Sequence, residues 1–157
     1  MPVEIERKFL VVSDAWRQKA DIGRSLRQGY VAHDAHVSVR VRLSEKRAWL
    51  TLKGERAGSM RDEFEYEISL TDAEDMLARL CVGPISEKTR YRVPHGGKIW
   101  DVDVFAGRAE GLILAEIELG AVGEPFDLPD WIGKEVTDDP RFRNSAIALM
   151  PTAELVE

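Results

Sequence analysis

A single cysteine, Cys81, leaves no partner for an intrachain disulfide, and its place in an apolar helical pattern marks a small core residue. Three histidines, His33, His36 and His95, show neither i, i+4 pairing nor zinc-ligand spacing, and are expected at the surface near turns. Neither a Gly-x-x-x-x-Gly-Lys loop nor a Gly-x-Gly-x-x-Gly turn occurs, so two common nucleotide cradles are excluded. No segment approaches about 18 consecutive apolar residues, and Glu4, Arg7 and Lys8 follow the first residue closely. Neither a membrane span nor a secretory signal is expected, and the location expected is cytoplasmic. The net charge of −6 disfavours broad attraction to nucleic acid or anionic lipid. Any anion has to be caught by a local basic cluster.

What is present is a repeated spacing of two. Glu4/Glu6 with Lys8, Arg40/Arg42, Thr51/Lys53, Glu63/Glu65/Glu67, Lys88/Arg90/Arg92, Asp101/Asp103 and Glu116/Glu118 recur along the chain, mostly like-signed within each group. The residues between them are apolar, such as Val39 and Val41, Phe64 and Tyr66, and Ala115 and Ile117. Strict alternation of this kind marks antiparallel strands with one greasy and one charged face. Side chains two apart on a strand sit roughly 6.5–7 Å apart on one face, so like charges are set side by side and need partners.

Strands are predicted over Val3 to Val12, Leu26 to Ala32, Val37 to Leu43, Ala48 to Lys53, Arg61 to Leu70, Ile85 to Val93, Lys98 to Phe105 and Leu112 to Leu119. Ser13-Asp14 offers a cap for a short helical turn around Trp16. Thr71-Asp72-Ala73-Glu74 reads as a capping box, and Ala73, Met76, Leu77, Leu80 and Cys81 follow as one apolar helix face that Gly83-Pro84 stops. Beyond Gly120 the chain reads as irregular, with a late helical stretch from Asn144 to Met150. One domain of 157 residues is expected, α+β but mainly β. Trp16, Trp49, Trp100 and Trp131 are read as packing residues on the apolar side.

Periodicity does not say which face lies inside. A solvated charged face around an ordinary apolar core fits the alternation. So does the inverse, an eight-stranded barrel with a charged lumen and helices on its apolar exterior. The clustering of one charge sign on each strand, and the need of two helices for apolar surface to sit on, favour the inverse. Such a lumen has to pair its charges or bind ions. Several carboxylates suit hard divalent cations and clustered Arg and Lys suit phosphate oxygens, so the pattern describes a site for a metal-bound polyphosphate.

Glu4-Ile5-Glu6-Arg7-Lys8 resembles the Glu-x-Glu-x-Lys signature of the CYTH superfamily, the triphosphate tunnel metalloenzymes. Further matches follow in the family's order: Gln28-Gly29-Tyr30, Arg40-x-Arg42, Thr51-x-Lys53, Glu63-x-Glu65, Lys88-x-Arg90, Asp103, Glu116-x-Glu118 and Gly133-Lys134-Glu135-Val136-Thr137. The resemblance implies an eight-stranded antiparallel tunnel with a charged lumen, and Mg²⁺- or Mn²⁺-dependent chemistry on triphosphates. Small members of this kind look most like inorganic triphosphatases. A class IV-type adenylate cyclase, a thiamine triphosphatase and a noncatalytic polyphosphate-binding module are the alternatives. Where many relatives carry a tyrosine, this chain has Phe142.

On this footing Glu4, Glu6, Glu116 and Glu118 are expected to hold one metal, with Glu63, Glu65 and Asp103 holding a second or orienting water. Lys8, Arg40, Arg42, Lys53, Lys88 and Arg90 are expected on phosphate oxygens, with Lys134 a rim or lid contact. The candidate catalytic groups are Lys8, Lys88 and Tyr30; Tyr30 lies among cations that would stabilise its phenolate as a proton acceptor. The substrate expected is a small polyphosphate. Whether Glu67 and Arg92 enter the lumen is open.

Overall fold

The computed structural model describes residues 3–34 and 36–147. Its strands are β1 (Val3–Val11), β2 (Arg24–His33), β3 (Val37–Leu43), β4 (Ala48–Gly54), β5 (Met60–Ile68), β6 (Val82–His95), β7 (Lys98–Ala106), β8 (Ile113–Glu118) and β9 (Ile132–Glu135). The helices are α1 (Leu70–Arg79) and α2 (Asn144–Ile147). The sheet runs β5-β4-β3-β2-β6-β7-β8-β1, and β5 pairs back to β1, so eight antiparallel strands close a barrel. Closure leaves no free edge within that ring. No helix of the described residues is long and apolar enough to cross a membrane.

The charged face lies inside. Glu4, Glu6, Lys8, Arg40, Lys88, Asp103 and Glu116 are each at most 9% exposed. The opposite parity packs outward under the remaining chain. Phe9, Trp100, Val102, Ala115 and Ile117 meet Trp16 and Trp131, while Val41, Leu43 and Ala48 are covered by Ala73 and Leu77 of α1. Gly29 lets α1 and β6 sit close, since a Cβ there would come within 3.1 Å of Ile85, Cys81 and Leu77 side-chain atoms. Leu10, Phe105 and Leu114, which share the inward parity, meet Leu112, Val136, Phe142 and Ile147 in an apolar plug at one end of the barrel.

Three local readings are corrected. Ser69, not Thr71, caps α1, its side chain accepting from the Asp72 N–H at 3.0 Å, because the strand ends at Ile68. The helix ends at Arg79, and Gly83-Pro84 lies within β6. There β2 advances two residues (Gln28 to Tyr30) while β6 advances four (Ser86 to Val82), a bulge with Gly83 at φ 75°. The chain past Gly120 is not wholly irregular: β9 pairs with β1 outside the ring. Four residues with a glycine among them are too few for alternation to register. The late helix is described over Asn144–Ile147, and the rest of that prediction, to Met150, lies outside the described residues.

Candidate active site

Strand order sorts the inward side chains by sign. Glu63 and Glu65 of β5, Glu4 and Glu6 of β1, Glu116 and Glu118 of β8 and Asp101 and Asp103 of β7 come from four neighbouring strands, forming one acidic wall. Lys53 of β4, Arg40 and Arg42 of β3 and Lys88 and Arg90 of β6, with β2 between, form the facing wall of cations. Lys8 is a cation within the acidic wall. No segment of sequence carries this division, because β1 and β8 meet only on barrel closure.

The two walls are pinned where they join. Lys88 Nζ donates to Asp103 Oδ2 at 2.8 Å, and Arg90 donates to both Asp103 oxygens at 2.7 and 2.8 Å. Burial alone would raise the Asp103 carboxyl; Arg90 and Lys88 outweigh it and hold the pKa at about 2. Burial drives Lys88 the other way, down to about 7, against the pull of Asp103. At the second join, Lys53 Nζ lies 3.0 Å from Glu4 and 3.3 Å from Glu63. Glu116 is buried, yet Lys8, Arg90 and Lys88 keep its pKa well below the usual range.

Between the joins like charges stand side by side, although Arg56 Nη2 lies 3.6 Å from Glu6 Oε1. Glu6 stands directly opposite Glu118 across β1 and β8. Burial first, then Glu116 and Glu4, push the Glu6 carboxyl up to about 7. Glu118 is raised by burial, Glu4 and Glu6, and Glu4 by burial and Glu63. Across the lumen, burial and then Arg40 and Arg90 depress Arg42 to about 9. Its Nε donates to Gln28 Oε1 at 3.0 Å, and the buried Arg40 Nε has no partner. Each wall thus lacks counter-charge: the acids call for a cation and the arginines for an anion.

Carboxylate oxygens are the donor set of hard divalent cations, so the acids fit a metal of that class. Among the described residues no three of them are drawn together as a finished coordination shell. Their mutual repulsion gives a measurable consequence. Glu6 titrates near 7 folded against 4.5 unfolded, so the unfolded chain releases its proton first and metal-free stability falls as pH rises through that window. Thermal melts in EDTA from pH 4.5 to 7 are expected to show this slope, and Glu6→Gln to reduce it, leaving the part that Glu4 and Glu118 contribute.

Three cavities that share lining residues lie along the lumen. A central one of about 180 Å³ is lined by the acids of the wall other than Asp103, with Arg40, Arg42, Lys53 and Arg90. Toward one mouth lies a cavity of about 340 Å³ with Arg24, Arg42, Trp49, Glu65, Arg92 and Asp101. Toward the plug lies one of about 290 Å³ that includes Lys8, Tyr30 and Arg40. Lys8 Nζ also donates to the Phe142 carbonyl at 2.9 Å, tying the plug to the barrel wall.

Of the predicted site residues, all but Lys134 belong to the barrel wall; Lys134 is exposed on β9, beside Asp139. Tyr30 and Lys88 have different neighbours, Tyr30 in the plug-side cavity against His33 and Lys88 on Asp103. Arg92 lines the open mouth, while Glu67 is exposed and paired with Arg47. Trp49 is corrected: it shares the parity of Thr51 and Lys53 and lines the mouth, a position its spacing from Lys53 already gave. Arg56, Arg61 and Arg143 were missed, and all line the plug-side cavity. Arg56 and Arg143 belong to connections where no alternation marks them.

Fold and site define a class of protein: a closed antiparallel tunnel whose lumen sets acids against arginines and lysines. The chain belongs to the CYTH domain family, whose profile matches residues 2–149. It is 46% identical over 151 residues to an inorganic triphosphatase of Acetivibrio thermocellus, spanning 96% of each chain. An inorganic triphosphatase of Nitrosomonas europaea is 38% identical over 151 residues, 93% of this chain and 97% of that one. A crystal structure of an inorganic triphosphatase matches with a TM-score of 0.66 at 37% identity, over 96% of this chain and 98% of the other.

Proposed function

We propose that the protein is an inorganic triphosphatase that hydrolyses the terminal phosphate of inorganic tripolyphosphate with Mg²⁺ or Mn²⁺. The observation that carries this reading is the two-walled lumen, which offers a cation and a polyanion adjoining sites in one small cavity. The similarity to two inorganic triphosphatases along nearly the whole chain supports the choice of substrate.

In this reading Glu4, Glu6 and Glu118, with Glu116, Glu63 and Glu65, hold the metal. A bound divalent cation would neutralise phosphate charge and lower the pKa of attacking water. Arg40 and Arg42 supply forked donors to the phosphate oxygens, and Lys53 and Arg90 add charge from the joins. Asp103, expected among the metal ligands, has both oxygens on Lys88 and Arg90; its part is to orient those two cations. Lys88, with a pKa of about 7, is suited to exchange a proton near neutral pH. Tyr30 and Lys8 meet the substrate from the plug side.

Phosphate release from tripolyphosphate in Mg²⁺ or Mn²⁺, abolished by EDTA, is the expected result. Pyrophosphate and a cyclic nucleotide formed from ATP would point to a cyclase, and tight tripolyphosphate binding with no product to a binding module.

A further inference from the structure

The β4–β5 connection, Glu55-Arg56-Ala57-Gly58-Ser59, is small and polar, yet it is firmly built. Ala57 N donates to Met60 O at 2.8 Å and Met60 N to Ala57 O at 3.1 Å, a turn that Gly58 permits at φ 63°. Glu6 N donates to Ser59 O at 3.0 Å, tying the loop to β1. Arg61 closes its base, donating from Nε and Nη2 to Gly54 O at 3.1 and 2.8 Å.

This frame directs Arg56 into the plug-side cavity. Its side chain is 8% exposed, and Nε and Nη1 are buried with no hydrogen-bond partner. Nη2 lies 3.6 Å from Glu6 Oε1, within ion-pair range but too far for a hydrogen bond. Arginine stays charged, and water could satisfy its N–H groups without neutralising it. Arg40 in the same cavity has its own unpartnered Nε, and Arg143 reaches it from the plug. Six cations line it, Lys8, Arg40, Lys53, Arg56, Arg61 and Arg143; Lys8 and Lys53 are paired with Glu116, Glu4 and Glu63 of the acidic wall, and the other four face Glu6, Asp34 and Glu55.

We infer that Arg56, with Arg40, forms a phosphate-binding station at the plug side of the tunnel that holds one end of the polyphosphate while the rest lies against the acidic wall. The inference rests on the reading of the lumen as a polyphosphate site. Its consequence is a length preference: a chain of three phosphates reaches both the station and the central cavity, and pyrophosphate forfeits one of them. Arg56 sits on a loop and not in the wall, and the β1–β5 pairing that closes the barrel, Val3 to Ile5 with Asp62 to Met60, does not include it.

The test is calorimetric binding of tripolyphosphate and pyrophosphate in EDTA, which removes any effect through metal on Glu6, beside Mg²⁺-dependent phosphate release. Arg56→Gln is expected to weaken tripolyphosphate binding about 10-fold or more, to weaken pyrophosphate binding far less, and to raise KM more than it lowers kcat. Arg56→Lys, keeping charge but losing the fork, is expected to fall between, and it carries the same test should the Gln variant fail to fold. Tripolyphosphate binding within twofold of wild type in both variants, or equal losses for both ligands, overturns the station. If wild type releases no phosphate while its binding depends on Arg56, the triphosphatase reading fails and the station stands. If wild type turns over and Arg56→Gln matches it in turnover and binding, the reverse holds.

Discussion

Replacing Glu118 by Gln is expected to lower metal-dependent phosphate release from tripolyphosphate at least about a hundredfold, with the fold intact. Even outer residues around a bound metal are worth about 10–100-fold, and Glu118 is placed as a direct ligand. Its carboxyl stands at the exposed end of β8, raised by burial and by Glu4 and Glu6. Removing its charge relieves repulsion, so the metal-free melting temperature should stay level or rise while the stabilisation gained on adding Mn²⁺ shrinks. Thermal melts with and without Mn²⁺, run beside phosphate release, separate this from general damage. Wild-type turnover would remove Glu118 from the metal site.

Asp103→Asn is expected to act in the opposite manner, through the fold. The substitution leaves buried Lys88 and Arg90 without their shared carboxylate, and breaking a buried pair costs about 3–5 kcal/mol. For a chain of this size that is a fall of roughly 6–20 °C in melting temperature. Asp101→Asn is the contrast. Asp101 is the more exposed, and its Arg90 contact is 3.8 Å, so less than about 1 kcal/mol is expected. Acid titration gives a second check. Asp103 titrates at about 2 folded against 3.8 unfolded, so its stabilisation is complete above 3.8 and lost as pH falls through 2. The Asn variant should lack that component. Equal melting temperatures for the two variants would mean that Asp103 does not anchor the wall.

Much of the barrel was legible because charge and period two reinforce each other over five to nine residues at a time, as in Glu4 to Lys8 and Lys88 to Arg92. The same regularity hid three things. Alternation is symmetric, so the inward turn of the charged face was favoured by charge clustering and by the family resemblance, and burial of Glu4, Lys88 and Asp103 bears it out. Sign segregation depends on β8 lying beside β1 and β6 beside β2, pairings that no local pattern encodes. Loops carry no period, so Arg56 and Arg143 gave no signal. The Trp49 error was avoidable: aromatic character outweighed a parity that the sequence stated.

The seam of the barrel has a temporal meaning. β1 joins β5 through Val3 to Ile5 and β8 through Glu6 to Leu10. Glu6 and Glu118 are therefore neighbours in space and 112 positions apart in the chain. A ribosome has to add 112 residues after Glu6 before the second half of that pair exists. The nascent chain therefore emerges with seven of the eight carboxylates of the acidic wall and no pocket in which to combine them. Completing the cylinder and acquiring the ion site are one event, and an ion bound across the junction would act as its clasp.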